Sequence, residues 1–200
     1  MRKIILIFIM GITLSPAFAG VAFSHPHVFI ALRLKAVFDD KGLACFNVQW
    51  EFDEMFSSMI ADDYDKNQNG IFEKAEIALI KDEAFSYLAN YNYFTFIKIN
   101  GKAFDVKFIK NFSPRLINNK LIYEFIIPCH VTALSKFKNI TVAAYDPSYY
   151  TAIFFAKKNS VSLVNPGIFK IETTIKEDKT TLIYFDMINP WALFLNFCKK

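Results

Sequence analysis

The sequence predicts an α+β fold, a mostly antiparallel β-sandwich interrupted by one inserted helix-loop-helix hairpin. Hydrophobic residues make up 54% and aromatic residues 17% of the 200 residues, enough apolar surface for one well-packed domain. Strand-like runs bounded by turn signals recur along most of the chain. A single block, at about residues 53–91, follows the helical period instead.

The N-terminal segment has the pattern of a secretory signal peptide. A short basic start precedes an apolar run over 4–14, and small-residue cleavage patterns precede Gly20 and His25. The apolar run is shorter than the roughly 18 residues that span a membrane, so an uncleaved anchor is the weaker alternative. We therefore expect residues 1–24 to be removed. Residues 25–200 would form one secreted or periplasmic domain that is not an integral membrane protein.

Strand-like runs lie on both sides of the helical block. They predict one hairpin at 27–39 and 43–52, and a second at 93–100 and 103–110 around an Asn-Gly turn. Six more strands are expected at 121–127, 140–145, 149–156, 160–164, 169–176 and 181–186. No helix alternates with these runs, which excludes a parallel α/β sheet. The apolar tail at 191–197 is too short to span a membrane, and we expect it to pack on the core.

Three cysteines, Cys45, Cys129 and Cys198, accompany the predicted export to an oxidising compartment. Cys45 and Cys129 both lie in strand-like runs and could form a disulfide. Three buried free thiols are the alternative, because unpaired cysteine behaves as a small hydrophobic residue.

The helical block contains two apolar stripes that flank a polar loop. The first stripe consists of Phe52, Met55, Phe56, Met59 and Ile60, and the second of Ile77, Ile80, Ala84, Tyr87, Leu88 and Tyr91. Asp53 is placed to cap the first helix, and Glu54 suits the positive potential of its first turn.

The loop between the stripes matches the twelve-residue calcium-binding loop of EF-hands, so we expect the hairpin to be EF-hand-like. Residues 65–76 have Gly70 at the sixth position, where that loop turns sharply. The expected Ca²⁺ ligands are Asp65, Asn67, Asn69, the Ile71 carbonyl, Glu73 and Glu76. Three acids and no second loop predict weak binding, with Kd on the order of 10⁻⁴ to 10⁻³ M. The alternatives are a chance polar turn and a loop that has lost its ion.

Two histidines at the start of the first strand predict a second metal site. His25 and His27 are two residues apart, so in an extended chain both imidazoles point to one side and can bind Zn²⁺, Ni²⁺ or Cu²⁺. The candidates for a third ligand are His130, Asp146 and Glu54. The alternative is a strand end with hydrogen-bonded histidines.

Several function classes are excluded by missing motifs. The six glycines form no dinucleotide-binding, phosphate-loop or nucleophile-elbow motif, and the three histidines form no H-E-x-x-H pair. The net charge is only +4, and no lysine or arginine run exists to follow a nucleic-acid backbone. No acid pair, nucleophile or base stands out, so we expect a protein that is not an enzyme and binds no nucleic acid.

Four short motifs give the chain a resemblance to an exported family, the domain of unknown function 1007 family. Residues 25–30, directly after the signal, read HPHVFI and resemble the start of that family. Residues 50–56 read WEFDEMF and resemble its second signature. After the calcium loop, YFTF at 93–96 and the turn DPSYY at 146–150 continue the match in order, to about residue 165.

This resemblance implies a periplasmic component of an ABC-type transport system, in a setting of nickel, cobalt or zinc traffic. The functional positions that it implies are His25, His27, Asp53, Glu54, Asp146 and Tyr149. The leading hypothesis is therefore an exported, non-enzymatic metal-binding protein that assists a membrane metal transporter and carries a calcium loop. The alternative is an extracellular structural or interaction domain that binds calcium only.

Overall fold

The computed structural model describes residues 26–200, so the predicted signal peptide and His25 lie outside the described residues. Within that range the chain is mostly β, and its strands form two sheets. The strands are β1 Val28–Phe38, β2 Gly42–Phe52, β3 Thr95–Ile99, β4 Lys102–Phe104, β5 Lys110–Ile117, β6 Lys120–Thr132, β7 Lys138–Ala144, β8 Thr151–Phe155, β9 Val161–Val164, β10 Phe169–Glu177 and β11 Trp191–Lys199.

The inserted block is helical, as expected, but it has three kinds of helix. The first helix is α1, Glu54–Tyr64, and the second, α2, covers only Lys74–Leu79. A π-helical turn, Ile80–Phe85, and a 3₁₀ segment, Ser86–Phe94, follow α2 directly. None of the helices in residues 26–200 combines the length and hydropathy needed to cross a bilayer.

The two sheets enclose one core. Sheet A has the strand order β5-β6-β2-β1-β8, with β9 also pairing with β1, and sheet B has the order β10-β11-β7-β3-β4. Alternate residues of β1 and β2 are buried, because one face of sheet A packs toward sheet B. At one end of the core the ring of Phe38 lies 5.3 Å from that of Phe197, and at the other end Trp50 stacks on Phe94 at 6.4 Å.

Two strand pairs are parallel, although the sequence pattern indicated antiparallel pairing. β1 pairs in parallel with β8 and, further along, with β9, while the other pairs between strands are antiparallel in the described residues. The reason is topological, because the chain leaves β7 in sheet B and enters sheet A beside the start of β1.

Most of the predicted strands are confirmed, but the strand expected at 181–186 and the return strand of the second hairpin are wrong. The run 181–186 is a turn region with only the isolated bridge Ile183–Ile188, and Tyr184, Phe185 and Asp186 have positive φ. The tail at 191–197 packs on the core as expected, with Leu193, Leu195 and Phe197 fully buried, and it does so as part of strand β11 between β10 and β7, which was not anticipated. The return strand expected at 103–110 is only β4, and β5 was not anticipated.

The apolar stripe predicted for α1 is only partly correct. Met55 and Met59 are 70% and 49% exposed, whereas Ser57 and Ile60 are buried. The Ser57 hydroxyl donates to the Asp53 carbonyl at 2.6 Å and accepts the backbone N–H of Leu121 in β6 at 2.9 Å. This hydrogen-bonded contact places the Ser57 side of the helix against the sheet and leaves the methionines outside.

The π-helical turn changes which residues of the second stripe reach the core. Ile80 and Leu88 are buried as predicted, but Tyr87 and Tyr91 are exposed. Phe85, which was not part of the predicted stripe, is 1% exposed and stacks on Phe112 at 4.1 Å. The wider turn adds a residue and rotates the following side chains around the helix axis.

The three cysteines are free thiols in the structure. Cys45 lies on the outer face of β2, beside Asn47, whereas Cys129 is buried on the inner face of β6. The two side chains therefore lie on opposite faces of sheet A, which explains why the disulfide considered from the sequence is not formed. Burial raises the pKa of the Cys129 thiol to about 12.

Candidate functional site

The motif at residues 50–56 meets the start of β1 through one carboxylate. Asp53 Oδ1 accepts the backbone N–H of Phe56 at 2.9 Å and so caps α1, as predicted. Its Oδ2 accepts the N–H of Phe29 at 2.8 Å, while its own N–H donates to the Phe29 carbonyl at 3.0 Å. Asp53 thus ties the helical insertion to the edge of the first motif, and both of its oxygens already have partners.

The turn at residues 146–150 meets the same end of β1. The buried Asp146 carboxylate accepts the N–H and hydroxyl of Ser148 at 2.9 and 2.7 Å, and the N–H of Thr151 at 3.1 Å. The Tyr150 carbonyl accepts the N–H groups of His27 and Val28 at 2.9 and 3.3 Å. Asp146 therefore shapes the turn that holds the N-terminal strand in place.

The motif YFTF joins this arrangement from sheet B. The Phe94 carbonyl accepts the N–H of Tyr145, which directly precedes the turn, at 3.0 Å. The rings of Phe96 and Tyr145 stack at 4.0 Å. The described parts of all four sequence motifs thus lie at one end of the sandwich, which we call the motif end, although the first and last motifs are about 120 residues apart in sequence.

Only part of the predicted transition-metal set meets at the motif end. The ring of His27 packs against that of Tyr150 at 4.9 Å, Glu54 is exposed in the first turn of α1, and Tyr149 packs against Tyr184 at 5.4 Å. His25 lies outside the described residues. Among residues 26–200 no group of three or more His, Cys, Asp or Glu side chains has metal-binding spacing.

His130 is wrong as a third ligand for the histidine pair. It lines a cavity with Asp39 and Lys41 at the far end of β1, whereas His27 directly precedes that strand. β1 has 11 residues, and at ~3.3 Å per residue the two histidines are separated by about 35 Å. The register of β6 against β2 fixes this separation, which local spacing in the sequence could not reveal.

The loop at 65–76, in which calcium ligands were predicted, is closed by its two buried acids. Asp65 and Glu76, the first and last positions, are 5% and 8% exposed. Asp65 accepts the N–H groups of Asn69 and Gly70 at 3.1 and 2.8 Å. Glu76 accepts the N–H of Lys66 at 3.0 Å and that of Glu73 at 2.9 Å, so the end of the loop is bonded to its beginning.

The remaining predicted ligands surround Glu73. Its Oε1 accepts the side-chain amides of Asn67 and Asn69 at 3.0 and 2.7 Å. Hydrogen bonds from the Glu76 carboxyl and from these two amides lower the pKa of Glu73 to about 2. Ile71, whose carbonyl is the expected seventh-position ligand, donates its N–H to Asn69 Oδ1 at 2.8 Å.

By chemical type, this donor set fits a hard cation, since every predicted ligand is an oxygen. Glu73 and Glu76 lie within hydrogen-bond reach, and two neighbouring carboxylates repel unless a proton or a cation lies between them. The amide nitrogens of Asn67 and Asn69 face Glu73, so calcium binding requires these side chains to present Oδ1 instead. The loop brings the predicted ligands into one short segment but does not gather its three carboxylates at metal-binding spacing.

A second polar cluster, centred on Asp178, was not anticipated. Its carboxylate is 4% exposed and binds Lys98 Nζ at 3.0 Å and the hydroxyls of Thr180 and Thr181 at 2.5 and 2.7 Å. These contacts fix the segment that covers the outer side of sheet B before β11. The spacing D-x-T-T is a local signal for such a turn, but the lysine comes from β3, 80 residues away.

Comparisons with known proteins give relatives of undefined role. An "Uncharacterized protein" of Haemophilus influenzae is 28% identical over 142 residues, covering 69% of this chain and 66% of that protein, just under two thirds of its length. An "Uncharacterized 15.5 kDa protein in trpE 3'region" of Spirochaeta aurantia is 25% identical over 133 residues, covering 66% of this chain and 94% of that protein. No solved structure matches this chain. The family model described as "Protein of unknown function (DUF1007)" matches residues 10–181, so the chain belongs to that family.

Proposed function

We propose that this protein is an exported, non-enzymatic metal-binding protein whose helical insertion binds one Ca²⁺ ion. In this proposal the motif end assists a membrane transporter of transition-metal ions. The observation that carries the calcium assignment is the closed loop at 65–76, in which Asp65 and Glu76 are buried carboxylates at its first and last positions.

The physical argument for calcium is the balance of charge inside a short loop. Asp65, Glu73 and Glu76 bring three carboxylates into twelve residues, against the two lysines of the loop, Lys66 and Lys74, so its net charge is negative. Backbone N–H groups and side-chain amides donate hydrogen bonds to these carboxylates. A hard divalent ion takes six to eight oxygen ligands, which Asn67, Asn69 and the Ile71 carbonyl would complete with the carboxylates. Such an ion would tie α1 to α2, because Asp65 directly follows the first helix and Glu76 lies in the second.

The transport role is supported by the arrangement of the motif end. Four separated motifs meet there, and the described histidine, His27, lies at its edge against Tyr150. Asp53 and Asp146 hold this end together through hydrogen bonds to backbone groups. In the proposal, His25 and His27 bind the transition metal, and Asp53 and Asp146 position the strand that carries them.

The calcium assignment is tested by calorimetry and thermal unfolding of the mature protein. With Kd on the order of 10⁻⁴ M, about 1 mM calcium stabilises the wild type by about 1.4 kcal/mol. For a domain of this size that corresponds to a rise in Tm of about 3–6 °C. We expect Asp65→Ala and Glu76→Ala to show neither binding nor this rise.

The matched control is Asp82→Ala, which removes one exposed acid from the same insertion outside the loop. It should bind calcium as the wild type does, because Asp82 is not a predicted ligand. If the wild type melts at the same temperature in calcium and in chelator, and calorimetry detects no heat of binding, the calcium assignment is wrong.

A calcium-only structural or interaction domain is the second candidate. It is favoured by the wide separation of His130 from His27, and by the finding that no three His, Cys, Asp or Glu side chains of residues 26–200 have metal-binding spacing. Replacing both His25 and His27 by alanine separates the two candidates. Loss of Zn²⁺ and Ni²⁺ binding with calcium binding intact supports the transport role, and unchanged Zn²⁺ and Ni²⁺ affinity supports the calcium-only domain.

A further inference from the structure

The outer face of sheet A carries a continuous field of polar side chains. Arg33 of β1 lies opposite Gln49 of β2, which lies opposite Glu124 of β6, which in turn lies opposite Ser113 of β5. Side chains that are directly opposite in paired strands point to the same face. Four strands thus contribute one polar row, on the face turned away from the core.

This polar row forms the floor of a cavity of about 280 Å³. Lys35 and Asn47, which are opposite each other one step along the strands, form one wall, and Arg115 of β5 lies on another side. A concave site with converging polar groups is the general form of a small-molecule site. The volume lies near the lower end of the range for small-molecule sites.

The acids at this face are already neutralised by neighbours. Glu124 Oε2 pairs with Arg115 at 2.7 Å, and its Oε1 accepts the Gln49 amide at 3.0 Å. Glu51 pairs with Arg33 at 2.9 Å and with Lys120 at 3.4 Å. Partial burial alone would raise the pKa of Glu51, but the hydrogen bonds and charges of Arg33 and Lys120 lower it, so the acid remains ionised.

A positive charge remains after these pairs are formed. Three cationic side chains and one anionic side chain line the cavity, and Lys35 has no acid within ion-pair distance among the described residues. A concave site with a net positive charge concentrates field lines and attracts an anion. Arg33 and Arg115 each present further guanidinium donors in a planar fork that matches an oxyanion.

We propose that this cavity binds a small oxyanionic ligand, one that bears a carboxylate or a phosphate group. Lys35 supplies the unpaired charge, Arg33 and Arg115 supply fork donors, and Asn47 and Ser113 supply neutral hydrogen bonds to the rest of the ligand. The site lies on the face of sheet A opposite the core, and its occupancy does not depend on calcium or on the histidine pair.

The test is titration of the calcium-free mature protein with inorganic phosphate and, separately, with succinate at low ionic strength. We expect saturable binding of at least one anion with Kd on the order of 1 mM or tighter. Phosphate binding alone assigns a phosphate-bearing ligand, and succinate binding alone assigns a carboxylate. Lys35→Gln should weaken binding about tenfold, the low end of a charge-assisted hydrogen bond.

Lys158→Gln is the matched control, since Lys158 is an exposed lysine in the turn after β8, on the same sheet but outside the cavity. It should retain wild-type affinity, and so should Asp65→Ala, which separates this site from the calcium loop. The proposal is overturned if neither anion binds at about 10 mM. It is equally overturned if Lys35→Gln and Lys158→Gln give the wild-type affinity.

Discussion

Asp53→Ala should destabilise the fold at the motif end without removing a metal ligand. The change deletes the α1 cap to Phe56, which contributes about 1 kcal/mol. It also deletes the bond from Phe29 N–H, which contributes roughly another 1 kcal/mol because the acceptor is charged and the strand start is exposed. The expected loss is about 2 kcal/mol, or about 4–8 °C in Tm for a domain of this size.

Urea unfolding in chelator measures this loss without a contribution from bound ions. Asp53→Asn keeps one accepting oxygen and replaces the other, so it should lose about half as much. Glu54→Ala removes the adjacent exposed acid, whose only expected contribution is that of a charge near a helix N-terminus, at the low end of 0.3–1 kcal/mol. It should therefore cost well under half of the Asp53→Ala effect.

Two results would refute this account of Asp53. One is a free energy of unfolding for Asp53→Ala that lies within about 0.5 kcal/mol of the wild-type value, the usual range of surface substitutions. The other is a Zn²⁺ affinity that falls with Asp53→Ala at temperatures where the variant remains folded, since that would make Asp53 a ligand. An unchanged Zn²⁺ affinity in the folded variant agrees with a positioning role.

Two further outcomes follow from burial and backbone geometry. Burial alone would raise the pKa of Asp178, but its bonds to Thr180, Thr181 and Lys98 lower it from 3.8 to about 2. The ionised carboxylate therefore contributes about 2 kcal/mol to the free energy of unfolding above pH ~4, and this contribution is lost as the pH falls through about 2. Urea unfolding at pH ~5 and pH ~2 should show that the free energy of unfolding decreases less in Asp178→Asn than in the wild type. Equal decreases in the two proteins would contradict the role assigned to Asp178. Gly42→Ala should lower the free energy of unfolding by more than about 2 kcal/mol. The φ of Gly42 is +153°, and a Cβ there would lie 2.2 Å from the Val131 carbonyl oxygen. Gly167→Ala, whose Cβ would meet nothing within 4 Å, should melt like the wild type, and equal melting of both variants would contradict the clash.

The strands that the sequence predicted well are those with one buried face. β1 and β2 alternate buried and partly exposed residues, and that period of two is visible in the amino-acid order. β5 was not predicted because it is an edge strand that contains Pro114 and several polar residues. β11 was not predicted because apolar residues lie on both of its faces, Phe194 on one and Leu193 and Leu195 on the other, so its sequence shows no clear alternation.

Some features of the candidate sites depend on local spacing in the sequence, and others depend on which distant strands pair. The Asp53 cap depends on spacing within four residues and is confirmed, whereas the calcium assignment of the loop at 65–76 depends on spacing within twelve residues and stays a prediction. The exclusion of His130 and the cavity around Lys35 depend on strand register between distant segments. No local pattern reports that Ser113 lies in one row with Arg33, because β6 and β2 must first be placed between them.

The central position of β11 has a consequence for how the chain reaches its native state. β7 and β10 are joined through β11, so sheet B cannot close before residue 199 is available for pairing. The parallel contact between β1 and β8 likewise joins residues about 120 positions apart. We expect such a chain to fold slowly, because the loop entropy of distant pairings must be overcome before they contribute stability. If the chain is exported as its N terminus predicts, we expect sheet B to remain open until synthesis of β11 is complete, which would favour threading of the chain across a membrane.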